Sequence, residues 1–516
     1  MTRLRASELY LRQRPVKTTL ATVYTLKIAC AIAFLLWIGL TTAQGQTQTF
    51  TSLLSFNGSD GSFPQMSLVQ GTDGDFYGTT PYGGAFTEES GCGTVFKISA
   101  TGSLTTLHNF DCTEGASPYS GLIRARNGKF YGVTSMRGPN GDGGTVFEIT
   151  PDGKLTTLYN FCSKPNCRDG STSYGVLVQA SNGNFYGTTS AGGAHGKGTV
   201  FEITPLGKLT TLYSFCSKPN CADGAAPFAG LVQAGSGNLY GTTSVSGANG
   251  NGGTIFEITP KGELTTLYSF CGKTNCSDGA TPYAQLVQAG YGRLYGTTYS
   301  GGEHNFGTIF ETTLAGRLTT LHSFDGADGS TPYTAALIRG NNGDFYGTGF
   351  SGGISGSNGA GGTVFKINPR GKVTTLYRFC RQTGCVDGRG PVGGLMQATN
   401  GNFYGTTIYG GIYGTSECGG YGTWGCGTLF TLAIGLRAFV KTIPASGNIG
   451  ERVLVLGNDL TEASSVTFNG TEATFKVLSD SELTAIVPAG ATTGEVEVTL
   501  PNRVLKSNSV FQVTMK

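Results

Sequence analysis

Short apolar runs alternate with glycine-rich breaks along most of the chain, and the alternation itself repeats. Its clearest copy occupies residues 231–270. It reads Leu-Val-Gln-Ala, a Gly-rich turn, Asn-Leu-Tyr-Gly-Thr-Thr, a Gly-rich loop, Gly-Thr-Ile-Phe-Glu-Ile-Thr, Pro-Lys-Gly, then Glu-Leu-Thr-Thr-Leu-Tyr-Ser-Phe. Each run is β-branched and aromatic and is bounded by Gly, Pro or Asn, which is the pattern of a strand between tight turns. Four such strands in roughly 54 residues, repeated in tandem, predict the blades of a β-propeller.

Two markers count the repeats. An aromatic-or-Leu, Tyr, Gly triplet recurs with its Tyr at 77, 131, 186, 240, 295, 346 and 404, and a Gly-Thr-aliphatic-Phe run ends at Phe96, Phe147, Phe201, Phe256, Phe310, Phe365 and Phe430. The fourth strand, Leu-Thr-Thr-Leu or a near copy, begins at Leu104, Leu155, Leu209, Leu264, Leu318 and Val373, and none follows Phe430. The missing copy lies at the other end, in Phe-Thr-Ser-Leu-Leu-Ser-Phe at 50–56. The expectation is a seven-bladed propeller in which this segment supplies the outer edge of the last blade. Such closure hides strand edges that would otherwise pair with other chains. The offset makes the Leu-Thr-Thr-Leu strand outermost and the Leu-Val-Gln-Ala strand the lining of the central channel. Tight turns, such as 236–238 and 205–207, then share one face, and longer loops, such as 190–198 and 216–230, share the other. Loops on a rigid scaffold are where binding sites concentrate, so the long-loop face is the candidate binding face.

After Leu436 the glycine thins and alternating Val, Leu and Thr appear. Strand-like runs at 452–456, 465–468, 473–477, 483–487, 495–500 and 509–513, with a hairpin signal at Asn469-Gly470, predict an Ig-like sandwich. The predicted organisation is a leader at 1–46, a propeller at 47–435, a linker at 436–440 and the Ig-like domain at 441–516.

Composition adjusts this picture in two places. The net charge of +3 has no basic cluster outside the N-terminus, so a nucleic-acid partner lacks an electrostatic footprint. At the N-terminus, Arg3, Arg5, Arg12, Arg14, Lys17 and Lys27 precede an apolar run at 28–40 and the small residues Thr41-Thr42-Ala43. This reads as a secretory signal peptide, too short in its apolar part for a spanning helix of about 20 residues. An exported mature chain with no membrane span is expected, whether secreted, periplasmic or attached at the cell surface.

Export changes the reading of the cysteines. Cys30 falls in the leader. Four blades carry Cys-x4-Cys: Cys162/Cys167, Cys216/Cys221, Cys271/Cys276 and Cys380/Cys385, in loops four residues longer than their counterparts. Cys92 and Cys112 come from the two long loops of one blade, and Cys418 and Cys426 from a single loop. Six disulfides are expected. The alternative is zinc, but a structural zinc site takes four ligands and no His follows at a fixed spacing.

One acid-Gly pair recurs per blade: Asp60, Glu114, Asp169, Asp223, Asp278, Asp328 and Asp387. The Asp residues are candidate cation ligands; the competing reading is a turn residue whose carboxylate accepts backbone N–H groups. Tyr77 and its equivalents offer either an aromatic platform or blade packing. His195 and His304, in equivalent long loops, are the candidate binding histidines, against a reading as solvated loop residues. His108 and His322 replace the Tyr of the outer strand and read as packing variants. No catalytic residue is assigned. There is no nucleophile elbow, phosphate loop, zinc-protease motif or dinucleotide fingerprint, and no cofactor is expected. The adjacent Glu88-Glu89 reads as a solvated pair.

Two resemblances can be named on these residues. Pro444, Gly447, Gly450, Val455-Leu456-Gly457, the run 466–470 and Val487-Pro488 make the last segment similar to an IPT/TIG domain, an immunoglobulin-like spacer or interaction module. The Tyr-Gly-Thr-Thr, Gly-Gly and Gly-Thr-Val-Phe-Glu-Ile blocks, as at 186–203, resemble the GloVer tandem-repeat proteins of bacteria, an exported family with varied C-terminal anchors. That resemblance implies no activity and no catalytic residues. The function expected is a non-catalytic, monomeric binding or scaffold protein that recognises a glycan or an extracellular protein. The second reading is a secreted polysaccharide-degrading enzyme, which needs a pair of carboxylates about 5–10 Å apart. The third is a structural adhesin.

Overall fold

A computed structural model describes residues 48–86, 91–289, 292–353, 361–414, 418 and 425–514. The apolar leader with Cys30 and the Glu88-Glu89 pair lie outside them. The described residues are all-β: regular helix among them is limited to single 3-10 turns such as Pro165–Cys167.

The repeats form seven four-stranded antiparallel sheets, numbered I–VII in chain order. Sheet III shows the plan: Val178–Gln179, Phe185–Thr189, Thr199–Ile203 and Leu209–Ser214 pair in that order, each with the next. Sheet VII is assembled from both ends of the repeat region. Its strands Met396–Gln397, Phe403–Thr407 and Thr428–Ala433 are completed by Thr49–Ser55, which pairs antiparallel with Thr428–Ala433 from Thr49↔Ala433 to Ser55↔Thr428.

Between consecutive sheets lie layers of apolar side chains. Tyr131, Val146 and Phe161 of sheet II pack with Leu177, Phe185 and Phe201 of sheet III. Equivalent clusters follow around the repeats, and one joins Phe76 and Phe96 of sheet I to Met396, Tyr404 and Leu429 of sheet VII. The propeller-like stack thus returns to its start. The central Phe of each third strand is fully buried, as with Phe201, which contributes about 1.5–3 kcal/mol per ring. This also explains the glycine after each second-strand Tyr. A Cβ on Gly187 would lie 2.5 Å from the Phe201 ring and 2.8 Å from Leu177.

The C-terminal segment is a two-sheet sandwich. One sheet runs Lys441–Ile443, Arg452–Leu456, Glu482–Ile486, Phe475–Val477; the other Thr471–Glu472, Ser465–Phe468, Val496–Leu500, Arg503–Lys506. Val453, Val455, Leu483, Val466, Phe468, Val496 and Val498 alternate inward to form its core. Asn469 and Gly470, with φ of 46° and 83°, make the hairpin turn. Sequence patterning missed Arg503–Lys506 because only Leu505 of that strand is buried, leaving no alternation to read.

Residues 48–516 cluster as one compact unit, and the sandwich is seated on the repeats. Phe439 N–H donates to the Thr399 carbonyl at 2.9 Å, Thr399 Oγ1 donates to the Gly457 carbonyl at 3.3 Å, and Ser481 Oγ donates to the Thr72 carbonyl. Thr72 and Thr399 belong to tight turns between first and second strands. The sandwich therefore covers the short-turn face and leaves the long-loop face open.

Candidate binding site

Each innermost segment runs from the long-loop face to the short-turn face, and its alternate residues line a central channel. In sheet III, Tyr174, Val176 and Val178 face three successive spaces, while Leu177 between them is buried against the neighbouring sheet. The upper space is a cup of about 480 Å3, the middle a neck of about 30 Å3, and the lower a chamber of about 490 Å3.

The cup opens on the long-loop face. One residue per sheet, four positions after the glycine of each acid-Gly pair, meets this end of the channel: Tyr119, Tyr174, Phe228 and Tyr333 of sheets II, III, IV and VI, with Gln65 and Val392 of sheets I and VII, line the cup, and Tyr283 of sheet V lines the neck. The rings touch in series. Centroids are 5.5 Å apart for Tyr119–Tyr174, 4.8 Å for the stacked pair Tyr174–Phe228, 5.1 Å for Phe228–Tyr283 and 5.0 Å for Tyr283–Tyr333. Behind this belt the repeats diverge. Sheets II–IV carry Ser135, Ser190 and Ser244, which donate to backbone carbonyls at 2.8–2.9 Å. At the same place sheets V–VII carry Tyr299, Phe350 and Ile408, which line the cup. One side of the cup is consequently more apolar than the other.

The cup is neutral. Among the described residues no carboxylate, His, Lys or Arg lines it. Burial pushes the phenols of Tyr119, Tyr174, Tyr283 and Tyr333 above their ordinary range, Tyr119 further through its hydrogen bond to the Tyr82 hydroxyl. They are therefore neutral donors and acceptors at any physiological pH. The hydroxyls of Tyr174, Tyr299 and Tyr333 have no hydrogen-bond partner among the described residues. This lining can stack on the apolar face of a ligand and hydrogen-bond to its hydroxyls.

The residues singled out from sequence lie elsewhere. Asp169, Asp223, Asp278 and Asp387 are buried and anchor the cysteine loops. Asp223 accepts from the Tyr213 hydroxyl at 2.8 Å, Ser217 N–H at 2.9 Å and Lys218 N–H at 3.1 Å. The Asp60 carboxylate accepts from Asn57 N–H at 2.9 Å, and burial is the larger influence on it, raising its pKa. Where His replaces the outer-strand Tyr it keeps the same partner: His322 Nε2 lies 2.5 Å from Asp328, and His108 bonds Glu114. The acids are thus occupied by turn and strand donors, and the described residues contain no cluster of three metal-binding side chains. Tyr131, Tyr186, Tyr240 and Tyr295 are buried between sheets and donate to Glu148, Glu202, Glu257 and Glu311. His195 and His304 are exposed and line neither cup nor chamber. The cysteines are bonded as Cys92–Cys112, Cys162–Cys167, Cys216–Cys221, Cys271–Cys276, Cys380–Cys385 and Cys418–Cys426.

The rim is hard to read from sequence because it is neither ionisable nor identical in every repeat. The signal was present: an aromatic residue after Ser/Ala/Thr-Pro or Thr-Ser in five repeats but not in two, and a position that switches from Ser to Tyr, Phe or Ile in the last three.

Known proteins add family but not chemistry. Among solved structures, an α-L-arabinanase of Penicillium chrysogenum complexed with arabinobiose is 13% identical with a TM-score of 0.40, over 64% of this chain and 99% of that one. A protein of unknown function from Dyadobacter fermentans DSM 18053 is 12% identical with a TM-score of 0.41, over 75% of this chain and 98% of that one. Neither likeness carries an argument about this chain. No curated protein matches it. The profile of the Gloeobacter/Verrucomicrobia repeat matches residues 39–168, 164–357 and 278–432, and that of the IPT/TIG domain residues 439–514. Matched over most of its length, the chain belongs to the Gloeobacter/Verrucomicrobia repeat family and carries an IPT/TIG domain behind its repeats.

Proposed function

We propose that this is an exported, non-catalytic binding protein: a seven-bladed propeller, closed by its N-terminal strand, that takes a neutral ligand into the aromatic cup. The observation that carries the reading is the unbroken series of rings from Tyr119 to Tyr333 around an uncharged, open-mouthed cup. Its volume falls in the range of small-molecule sites, about 300–1,000 Å3. Flat rings with hydroxyls at their edges suit the alternating apolar faces and hydroxyl rims of a glycan, and the ligand class is a neutral glycan or its end. Six disulfides fit an oxidising compartment, and among the described residues no helix is long and apolar enough to cross a membrane. A glycan-cleaving activity would need a carboxylate pair at the cup, and the described residues of the lining offer none.

The test is isothermal titration of the oxidised protein with a panel of neutral oligosaccharides, with reducing sugar assayed in parallel. Phe228→Ala removes the ring stacked on Tyr174 and should weaken binding about tenfold, since such a pair contributes about 0.5–1.5 kcal/mol beyond its area. Binding unaffected by Phe228→Ala and Tyr174→Ala would place the ligand elsewhere, and released sugar would replace the binding reading with an enzymatic one.

A further inference from the structure

The lower chamber is built differently from the cup. In five sheets the inner strand ends in Gln, and in four of them this Gln locks sheets together. Gln179 Oε1 accepts from Arg126 N–H at 3.0 Å, Gln233 from Ser181 N–H at 3.0 Å, and Gln397 from Asn341 N–H at 3.1 Å. Sheets II and VI have Arg124 and Arg339 instead. A guanidinium cannot accept, so each exchange gives up the lock. Arg124 has a reason on the page: its side chain, 5% exposed, lies 3.7 Å from Glu482 of the sandwich. Arg339 lines the chamber and has no hydrogen-bond or ion-pair partner among the described residues.

A second cation meets it there. Lys441, from the first strand of the sandwich, lines the same chamber and likewise has no partner among the described residues. Burial, and then the Arg124 charge, push its ammonium below the ordinary lysine value. Arg126 stands at the edge, its Nη1 3.3 Å from Glu451 and its Nε buried without a partner. Among the described residues no carboxylate lines the chamber. Charges held against a largely apolar wall without counter-charge are costly, and such groups are ordinarily paired.

We propose that this chamber, between the inner strands and the IPT/TIG domain, binds a small inorganic oxyanion through Lys441 and Arg339, with Arg126 at its entrance. The entrance is a cleft of about 410 Å3 along the seam between the sandwich and the repeats, which shares Arg126, Ser181, Gln233 and Gln512 with the chamber. The neck separates the site from the cup, so the two bind independently.

The test is isothermal titration of the oxidised full chain with sulfate and with inorganic phosphate in a low-chloride buffer. The expected result is saturable binding of one ion, with the preferred anion naming the physiological class. Arg339→Gln restores the residue that five sheets already carry, so its thermal midpoint should hold while affinity falls at least tenfold. Lys441→Met should abolish binding, and Phe228→Ala should leave it unchanged. Absence of saturable binding tighter than about 10 mM for both anions overturns the proposal. So does binding that survives both Arg339→Gln and Lys441→Met, which would mark an adventitious surface ion only.

Discussion

Replacing Phe50 by Ala tests how the N-terminal strand holds sheet VII together. Phe50 stacks on Tyr377 of sheet VI, with centroids 3.8 Å apart and planes 4° apart. It also lies 5.4 Å from Phe430 of sheet VII and 5.7 Å from Phe379. The ring therefore fastens the strand to its own sheet and to the one before. Removing a core Phe costs about 3–5 kcal/mol. Phe50 is only partly buried, which places the expected cost near the low end, about 3 kcal/mol. Because a chain of this size need not unfold in one step, the better readout is local: hydrogen exchange at the amides linking Thr49–Ser55 to Thr428–Ala433. At about 1.4 kcal/mol per factor of ten, their opening should rise roughly 100-fold. Ser52→Ala, on the exposed side of the same strand, is the control and should stay within about 0.5 kcal/mol of the parent. Exchange in Phe50→Ala within twofold of the parent would refute the stapling argument.

Three further outcomes follow from the same geometry. Burial pushes the Asp223 carboxyl up, but bonds from Tyr213, Ser217 and Lys218 outweigh it and hold the group below its ordinary value. Its stabilisation is therefore present above the unfolded pKa of about 3.9 and is lost as pH falls through the lower folded value. Asp223→Asn should be less stable than the parent at neutral pH, with the difference closing in acid melts. Lys441 also has a depressed folded pKa, beneath the ordinary 10.4 or so, but there it is the charged form that the fold disfavours, so in anion-free buffer stability should rise with pH between the two values. Arg124 is the charge that acts on it, and Arg126 and Arg339 line the same chamber; Lys441→Met should flatten that rise in thermal melts. Glu482→Gln leaves the buried Arg124 without its carboxylate. At the loose separation of that pair the loss should be about 2–3 kcal/mol, read as faster proteolysis of the segment at 434–440.

Much of the molecule was legible in the chain itself, because repeated local chemistry needs no long-range information. A strand bounded by Gly, Pro or Asn reads the same wherever it docks, so the seven sheets, their strand order and the closing role of 50–56 could all be counted. The cysteine pairs were legible for the same reason, since four of them close within five residues. Even the competing readings of the repeated Asp differed only in which neighbours its carboxylate meets, a matter of a few residues.

Tertiary structure alone decided what the repeats enclose. Tyr119 and Tyr333 are far apart in sequence and become members of one belt only when the sheets are arranged about a common axis. No single repeat shows that its aromatic residue has neighbours in the next. The docking of the IPT/TIG domain was equally invisible: some of its contacts are made to backbone carbonyls, of Thr72, Thr399 and Gly457, which any residue would offer, and its ion pairs, Arg124–Glu482 and Arg126–Glu451, join residues far apart in sequence. Once docked, it covers the short-turn face and puts Lys441 on the wall of the chamber that Arg339 also lines. Local chemistry thus wrote the strands, and only their arrangement in space made a neutral cup at one end of the channel and a basic chamber at the other.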